Sequence, residues 1–178
     1  MLRPVRRIVT ENDKNGKSRV WIDSDDNKTI TTLTELWVTN GKPGLNQQRI
    51  DMAQTSTGVL PPRGGTVFRY FQLAPESLTA HLSDAERWEE SRQWFAGMNA
   101  THALVDTTKH PSMHTTDTTD YIILLSGEVT LVLENEEVEL KPFDVVVQRG
   151  TNHAWANRGK EDALLMGVLI DESWQRSK

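Results

Sequence analysis

The chain has 178 residues, with 20 Lys and Arg against 25 Asp and Glu, a formal net charge of −5 and a pI near 5.5. That balance provides no basic face for a phosphate backbone, so nucleic acid is not expected as a partner. The lack of cysteine excludes a disulfide scaffold, a thiolate metal site and a cysteine nucleophile. Arg3, Arg6 and Arg7 cluster at the start, but no apolar stretch of the signal-peptide kind follows them. No apolar run approaches the ~20 residues of a membrane span, and a soluble, cytoplasmic protein is expected. One domain over 1–178 is the default, since the composition shows no break. A chain this long buries roughly 70% of its unfolded surface and needs no covalent staple.

Residues 5–26 read as a hairpin, with strands over 6–10 and 18–23 and the turn signal Asn15-Gly16 between them. Residues 30–39 (ITTLTELWVT) are β-branched and aromatic enough for one further strand. Residues 41–63 are polar, contain Gly44, Pro61 and Pro62, and form a long loop whose length suggests function or mobility. In the next strand, 65–74, Val67, Arg69 and Phe71 share one face, and Phe68, Tyr70 and Gln72 share the other. The one convincing helix spans about 84–98, opened by the capping-box pair Ser83 and Glu86. Ala85, Trp88, Phe95 and Met98 give it an apolar stripe, with Trp94 beside it. The plain reading docks that stripe on the barrel or on a second subunit; the other makes the indoles a lid or platform for a ligand.

A polar, Thr-rich stretch over 107–119 leads into a strand over 120–127. A hairpin over 128–140 turns at Asn135-Glu136, and strands over 145–148 and 163–170 follow. The acidic Glu134, Glu136 and Glu137 read as a solvated turn, and the tail over 171–178 as loose. There is no internal repeat and no low-complexity segment.

Two polar clusters stand out in the stretch from 114 to 157: His114, Thr116 and Asp120, then His153, Trp155 and Asn157. Within each, the residues share strand parity, so both clusters can face one interior. Their spacing resembles the two motifs of the cupin superfamily. The first reads His114-x-Thr116-x3-Asp120-x6-Gly127, and the second ends Gly150-x2-His153-x3-Asn157. Thr116 stands where the family has a second histidine and Asp120 where it has glutamate. Thr108 takes the leading glycine of the first motif, and the leading Gly and Pro of the second are missing.

The resemblance implies an all-β fold: a single cupin-type antiparallel β-barrel or jelly roll with one helical insertion. Its parts would be N-terminal strands and loop over 1–64, barrel over 65–76 and 106–171, insertion over 83–99 and tail over 172–178. It also implies a homodimer and a divalent metal (Fe, Mn, Ni or Zn) held by His114, Asp120 and His153. Two His and one carboxylate leave open positions on such an ion for a small organic molecule. Against this stands a metal-free reading, with the same three residues as a hydrogen-bonded polar network.

As catalytic residues, Asp120 or His153 would move a proton. Substrate contacts would come from Thr116, Trp155 and Arg69, Arg69 only if its face is the inner one. A structural ion pair or an outer-face position is the other reading of Arg69. Fold alone does not choose a function. One expectation is metal-assisted lyase- or isomerase-like chemistry on a small carbonyl or carboxylate compound, with dioxygenase chemistry ranked after it. The alternative is a metal-free cupin that binds a small molecule without catalysis, and a scaffold role resting on the helix stripe is the third.

Overall fold

The computed structural model describes residues 2–42, 48–56 and 58–173. Gly44 and most of the tail expected to be loose therefore lie outside the described residues. Eleven strands are present among the described residues: β1 (Arg7–Asn12), β2 (Ser18–Ser24), β3 (Thr29–Ile30), β4 (Leu33–Thr39), β5 (Thr66–Leu73), β6 (Thr118–Ser126), β7 (Val129–Leu133), β8 (Glu137–Leu140), β9 (Val145–Arg149), β10 (His153–Ala156) and β11 (Ala163–Asp171). The α-helix α1 (Asp84–Gly97) lies between β5 and β6.

All pairings between these strands are antiparallel. A six-stranded sheet runs β3-β4-β5-β11-β6-β9, and a three-stranded sheet runs β10-β7-β8. The hairpin β1-β2 forms a third sheet, turning through Gly16 at φ +74° as the Asn-Gly signal predicts. The fold is thus the expected all-β jelly roll with one helical insertion, built as facing sheets rather than as a closed ring of strands. Isolated bridges tie Leu104 to His114 and His114 to His153, joining the post-helix segment to β10.

One predicted element divides. The strand expected over 30–39 breaks at Thr31, which sits at φ +55°, and the chain folds back as a β3-β4 hairpin. A β-branched residue in that region is strained, and composition gives no sign of such a reversal. The helix starts as predicted: Ser83 Oγ accepts from the Glu86 N–H, and the Glu86 carboxylate accepts from the Ser83 N–H.

The main core lies on the inner face of the large sheet, where Phe71, Ile122, Leu124 and Leu165 meet Phe95 of α1. The opposite face is also covered, by Leu36, Tyr70 and Leu164 packed with Val5 and Phe68. Arg69 shares the face of Val67 and Phe71 and is 2% exposed. Of its two sequence readings, the ion pair is what forms: Nη2 lies 2.6 Å from Glu35 Oε1, and Glu35 is fully buried. Nη1 also donates to the Val59 carbonyl, so the guanidinium pins the loop over 58–60 to the sheet.

A buried charge stripped of its partner costs about 3–5 kcal/mol. Arg69→Met is therefore expected to lower urea-denaturation stability by about that amount, while Glu35→Leu with Arg69→Met restores most of it. A single variant as stable as wild type would show that the pair does not hold β4 to β5.

Candidate functional site

The two motif histidines come together through the backbone. His114 N–H donates to the His153 carbonyl at 2.9 Å, and His153 N–H donates to the His114 carbonyl at 3.0 Å. Their rings follow, with centroids 4.3 Å apart. Each ring is held in the same way, by a carbonyl two residues upstream. Nδ1 of His114 lies 2.9 Å from the Ser112 oxygen, and Nδ1 of His153 lies 2.9 Å from the Thr151 oxygen. A carbonyl can only accept, so both rings carry their proton on Nδ1 and a lone pair on Nε2. Burial pushes His114 below the usual imidazole value; it also pushes His153 down, to about 3, with neighbouring His114 lowering it further. Both are neutral hydrogen-bond acceptors at pH 7.

The rest of the first motif goes elsewhere. Thr116, Thr118 and Asp120 are buried along one parity, as alternation predicts, and Tyr121 points outward. Thr116 Oγ1 and Thr118 Oγ1 are 2.7 Å apart, and Thr118 hydrogen-bonds the Asp120 carboxylate. Asp120 Oδ1 is buried without a partner among the described residues. Burial raises its pKa to about 6, against the lowering effects of Thr118 and the Arg69 charge. Among the described residues, no three His, Asp or Glu side chains stand close enough to share an ion. The family's metal is therefore met by two donors in the right tautomer and by no third, and a three-ligand centre does not fit this arrangement.

A cleft of about 770 Å³ opens between α1, the 107–112 segment and the barrel wall. His114 and Trp155 line it, whereas Thr116, Arg69 and Asp120 do not. Its other aromatic walls are Trp88, Trp94 and Phe95. A ladder of rings runs from Trp94 to Trp155 through the two histidines: Trp94–Phe95 at 5.0 Å, Phe95–His114 at 5.0 Å, and His153–Trp155 at 5.4 Å. The helix stripe thus splits. Phe95 and Met98 dock it to the barrel with no exposure, but Trp88 stays 43% exposed and faces the cleft, its indole N–H donating to Thr107 Oγ1 at 3.1 Å.

Sequence reasoning missed one pair in the cleft. His110 Nδ1 accepts from the Ser112 N–H at 3.1 Å, which puts the proton on Nε2, and Nε2 donates to Glu76 Oε1 at 2.6 Å. Nothing in the local sequence around Glu76 marks it as the partner of a histidine 34 residues away. Asn157 ties the cleft's edge, donating to the Leu73 and Glu161 carbonyls at 2.7 and 2.8 Å.

With this geometry in place, the protein is an antiparallel jelly roll with two motif histidines side by side on a bridged pair of segments. Residues 104–169 match the Cupin domain family. A 47-residue stretch is 55% identical to phomopsin biosynthesis cluster protein C' of Diaporthe leptostromiformis, covering 26% of this chain and 25% of that protein. Another, of 51 residues, is 47% identical to oryzines biosynthesis cluster protein J of Aspergillus oryzae, covering 28% of each. These matches span about a quarter of the relatives' length. Among solved structures, the cupin domain of Schizosaccharomyces pombe Cnp3 aligns at a TM-score of 0.44 and 11% identity, over 96% of this chain and 90% of that one. A putative ethanolamine utilization protein Q from Salmonella typhimurium aligns at 0.43 and 10%, over 97% and 98%. No helix among the described residues is long and apolar enough to cross a membrane.

The Asp120 shift has a sign that can be measured. The unfolded carboxyl ionises near 3.8 and the folded one near 6, so between these values the native state holds more protons and stability falls as pH rises. The loss is roughly 3 kcal/mol by pH 7, at about 1.4 kcal/mol per unit. His153 acts oppositely, stabilising above about 6.5 and less as pH falls toward 3, but it is common to wild type and variant. The stability of Asp120→Asn minus that of wild type should therefore rise between pH 4 and pH 7 in urea titrations. A flat difference would mean that Asp120 ionises normally.

Proposed function

We propose that the protein is a small-molecule cupin of a natural-product biosynthetic pathway, seating its ligand in the cleft under α1 and against His114. The observation that carries this reading is the aromatic cleft itself, whose volume of about 770 Å³ lies in the ordinary range of small-molecule sites. The names of the partial relatives, both proteins of biosynthesis clusters, support the pathway context. His114 acts there as a neutral acceptor that orients a ligand hydroxyl or N–H. His153 fixes the His114 ring from behind, and Trp155 supplies the wall. Asp120 and Arg69 are buried supports of the barrel rather than ligand contacts, and Thr116 holds Thr118. In this reading the protein works without a metal, and binding is its primary act.

A second reading keeps metal-assisted lyase- or isomerase-like chemistry on a carbonyl or carboxylate compound. It is favoured by the matched tautomers, in which each Nδ1 proton goes to a carbonyl and each Nε2 carries the lone pair. It needs Asp120 to leave Thr118 and join the two rings. Exposed Tyr121, Val145 and Val147 on the outer face of β6 and β9 also support the homodimer that the family resemblance implies.

Soaking crystals with a general fragment set is expected to place fragments between α1 and β10; fragments seated only elsewhere would contradict the cleft as the ligand seat. Protein incubated with iron, manganese, nickel or zinc and then gel-filtered should carry no near-stoichiometric metal. Stoichiometric metal lost in both His114→Ala and His153→Ala would instead select the second reading. Sedimentation should give a dimer, and a monomer at all concentrations would remove that part.

A further inference from the structure

The cleft has a chemical character that narrows its occupant, an inference that rests on the cleft being the ligand seat. Its apolar walls are aromatic on opposing sides: Trp88, Trp94 and Phe95 from α1, and Trp155 from β10. Flat ring faces are matched best by a flat ring, through offset or edge-to-face contacts at about 4.5–7 Å between centroids. Where the barrel wall meets the helix stands His114, whose Nδ1 proton is spent on the Ser112 carbonyl. Its Nε2 makes no hydrogen bond among the described residues. A lone pair in that position asks for a donor.

The charges at the rim do not ask for an ion. Three carboxylates line the cleft (Glu76, Asp84 and Glu90) against two fixed cations, Arg87 and Lys109. Glu76 is taken by His110, and Arg87 is bonded to Asp84. Lys109 also lines the cleft, and its charge acts on the acidic Glu137 nearby. A carboxylate ligand would meet an acidic rim with its guanidinium already engaged, and desolvating it without a partner is costly.

We propose that the cleft recognises an uncharged, planar, unsaturated ring bearing one hydroxyl or ring N–H, which it donates to His114 Nε2. Phenols and enols of one or two fused rings are the class that fits. The indoles hold the ring face, and His114 sets which edge points to the barrel. A ring without the donor keeps the stacking and loses the orientation. A ring carboxylate meets repulsion at the rim and has no proton to give.

The test uses the full-length protein and three matched probes by calorimetry at pH 8: 2-naphthol, naphthalene and 2-naphthoate. Wild type is expected to bind 2-naphthol at least ten-fold more tightly than either of the others. His114→Phe, which keeps a ring beside Phe95 and His153 but has no acceptor, should bring 2-naphthol down to the affinity of naphthalene. His114→Gln, which restores an acceptor oxygen, should recover part of the difference, and this second variant guards against a Phe protein that folds poorly. Trp88→Ala, checked for unchanged melting, should weaken 2-naphthol and naphthalene alike. If naphthol and naphthalene bind equally but both depend on Trp88, the donor claim is overturned while the cleft stands as the seat. If 2-naphthoate binds best, the charge argument is overturned. If no probe binds, or none depends on Trp88, both the ligand class and the cleft reading fail together.

Discussion

The reciprocal backbone bridge between His114 and His153 is the constraint on which the site depends. It sets two imidazoles side by side and leaves each only one way to satisfy Nδ1, through a carbonyl two residues upstream. From that follow the tautomer, the neutral charge state and the availability of Nε2. The helix follows too, because Phe95 packs against the His114 ring and so fixes where Trp88 and Trp94 stand. A polar floor and an aromatic wall are thus two consequences of one pair of hydrogen bonds.

The interior of the barrel and the cleft are chemically separate. Inside, Glu35, Arg69 and Asp120 form a buried charged set, with Glu35 Oε2, Arg69 Nε and Asp120 Oδ1 all left without partners among the described residues. Such a set is expensive unless satisfied, and its Arg69 contacts to the Gly58 and Val59 carbonyls make it part of how the end of the long loop is held. In the cleft, by contrast, Glu76 is bonded to His110 and Asp84 to Arg87 at the rim, and the walls behind them are aromatic. This division explains why the motif carboxylate keeps its place in sequence but not its place beside the histidines. A threonine at 116 bonds Thr118, Thr118 bonds Asp120, and the side chain is drawn along its own strand.

Much of this was legible in the sequence. The Asn15-Gly16 turn, the Ser83/Glu86 cap and the shared parity of Thr116 and Asp120 are local signals with local causes, and each appears as read. The spacing around His114 and His153 placed them in one neighbourhood, since strand parity and the family's motif both require it. What could not be read depends on contacts distant in sequence or on backbone reversals. The fold-back at Thr31 leaves no compositional mark. The partner of Arg69 comes from 34 residues upstream, and that of His110 from an equal distance. Parity shows that Asp120 faces inward, but not how far along the barrel it lies from the two rings. The helix stripe was visible as four apolar positions, yet which of them dock and which face a ligand depends on the cleft, a property of two elements together.

The most direct test of this account is the ring-nitrogen chemical shifts of His114 and His153, read by long-range nitrogen–proton NMR at pH 7 with and without added iron(II), nickel or zinc. The account predicts both rings neutral and protonated on Nδ1, with Nε2 signals of unprotonated nitrogen that do not move with stoichiometric metal. Protonation on Nε2 would contradict the carbonyl pinning. A joint Nε2 shift at one equivalent of metal would show that the two rings hold an ion after all.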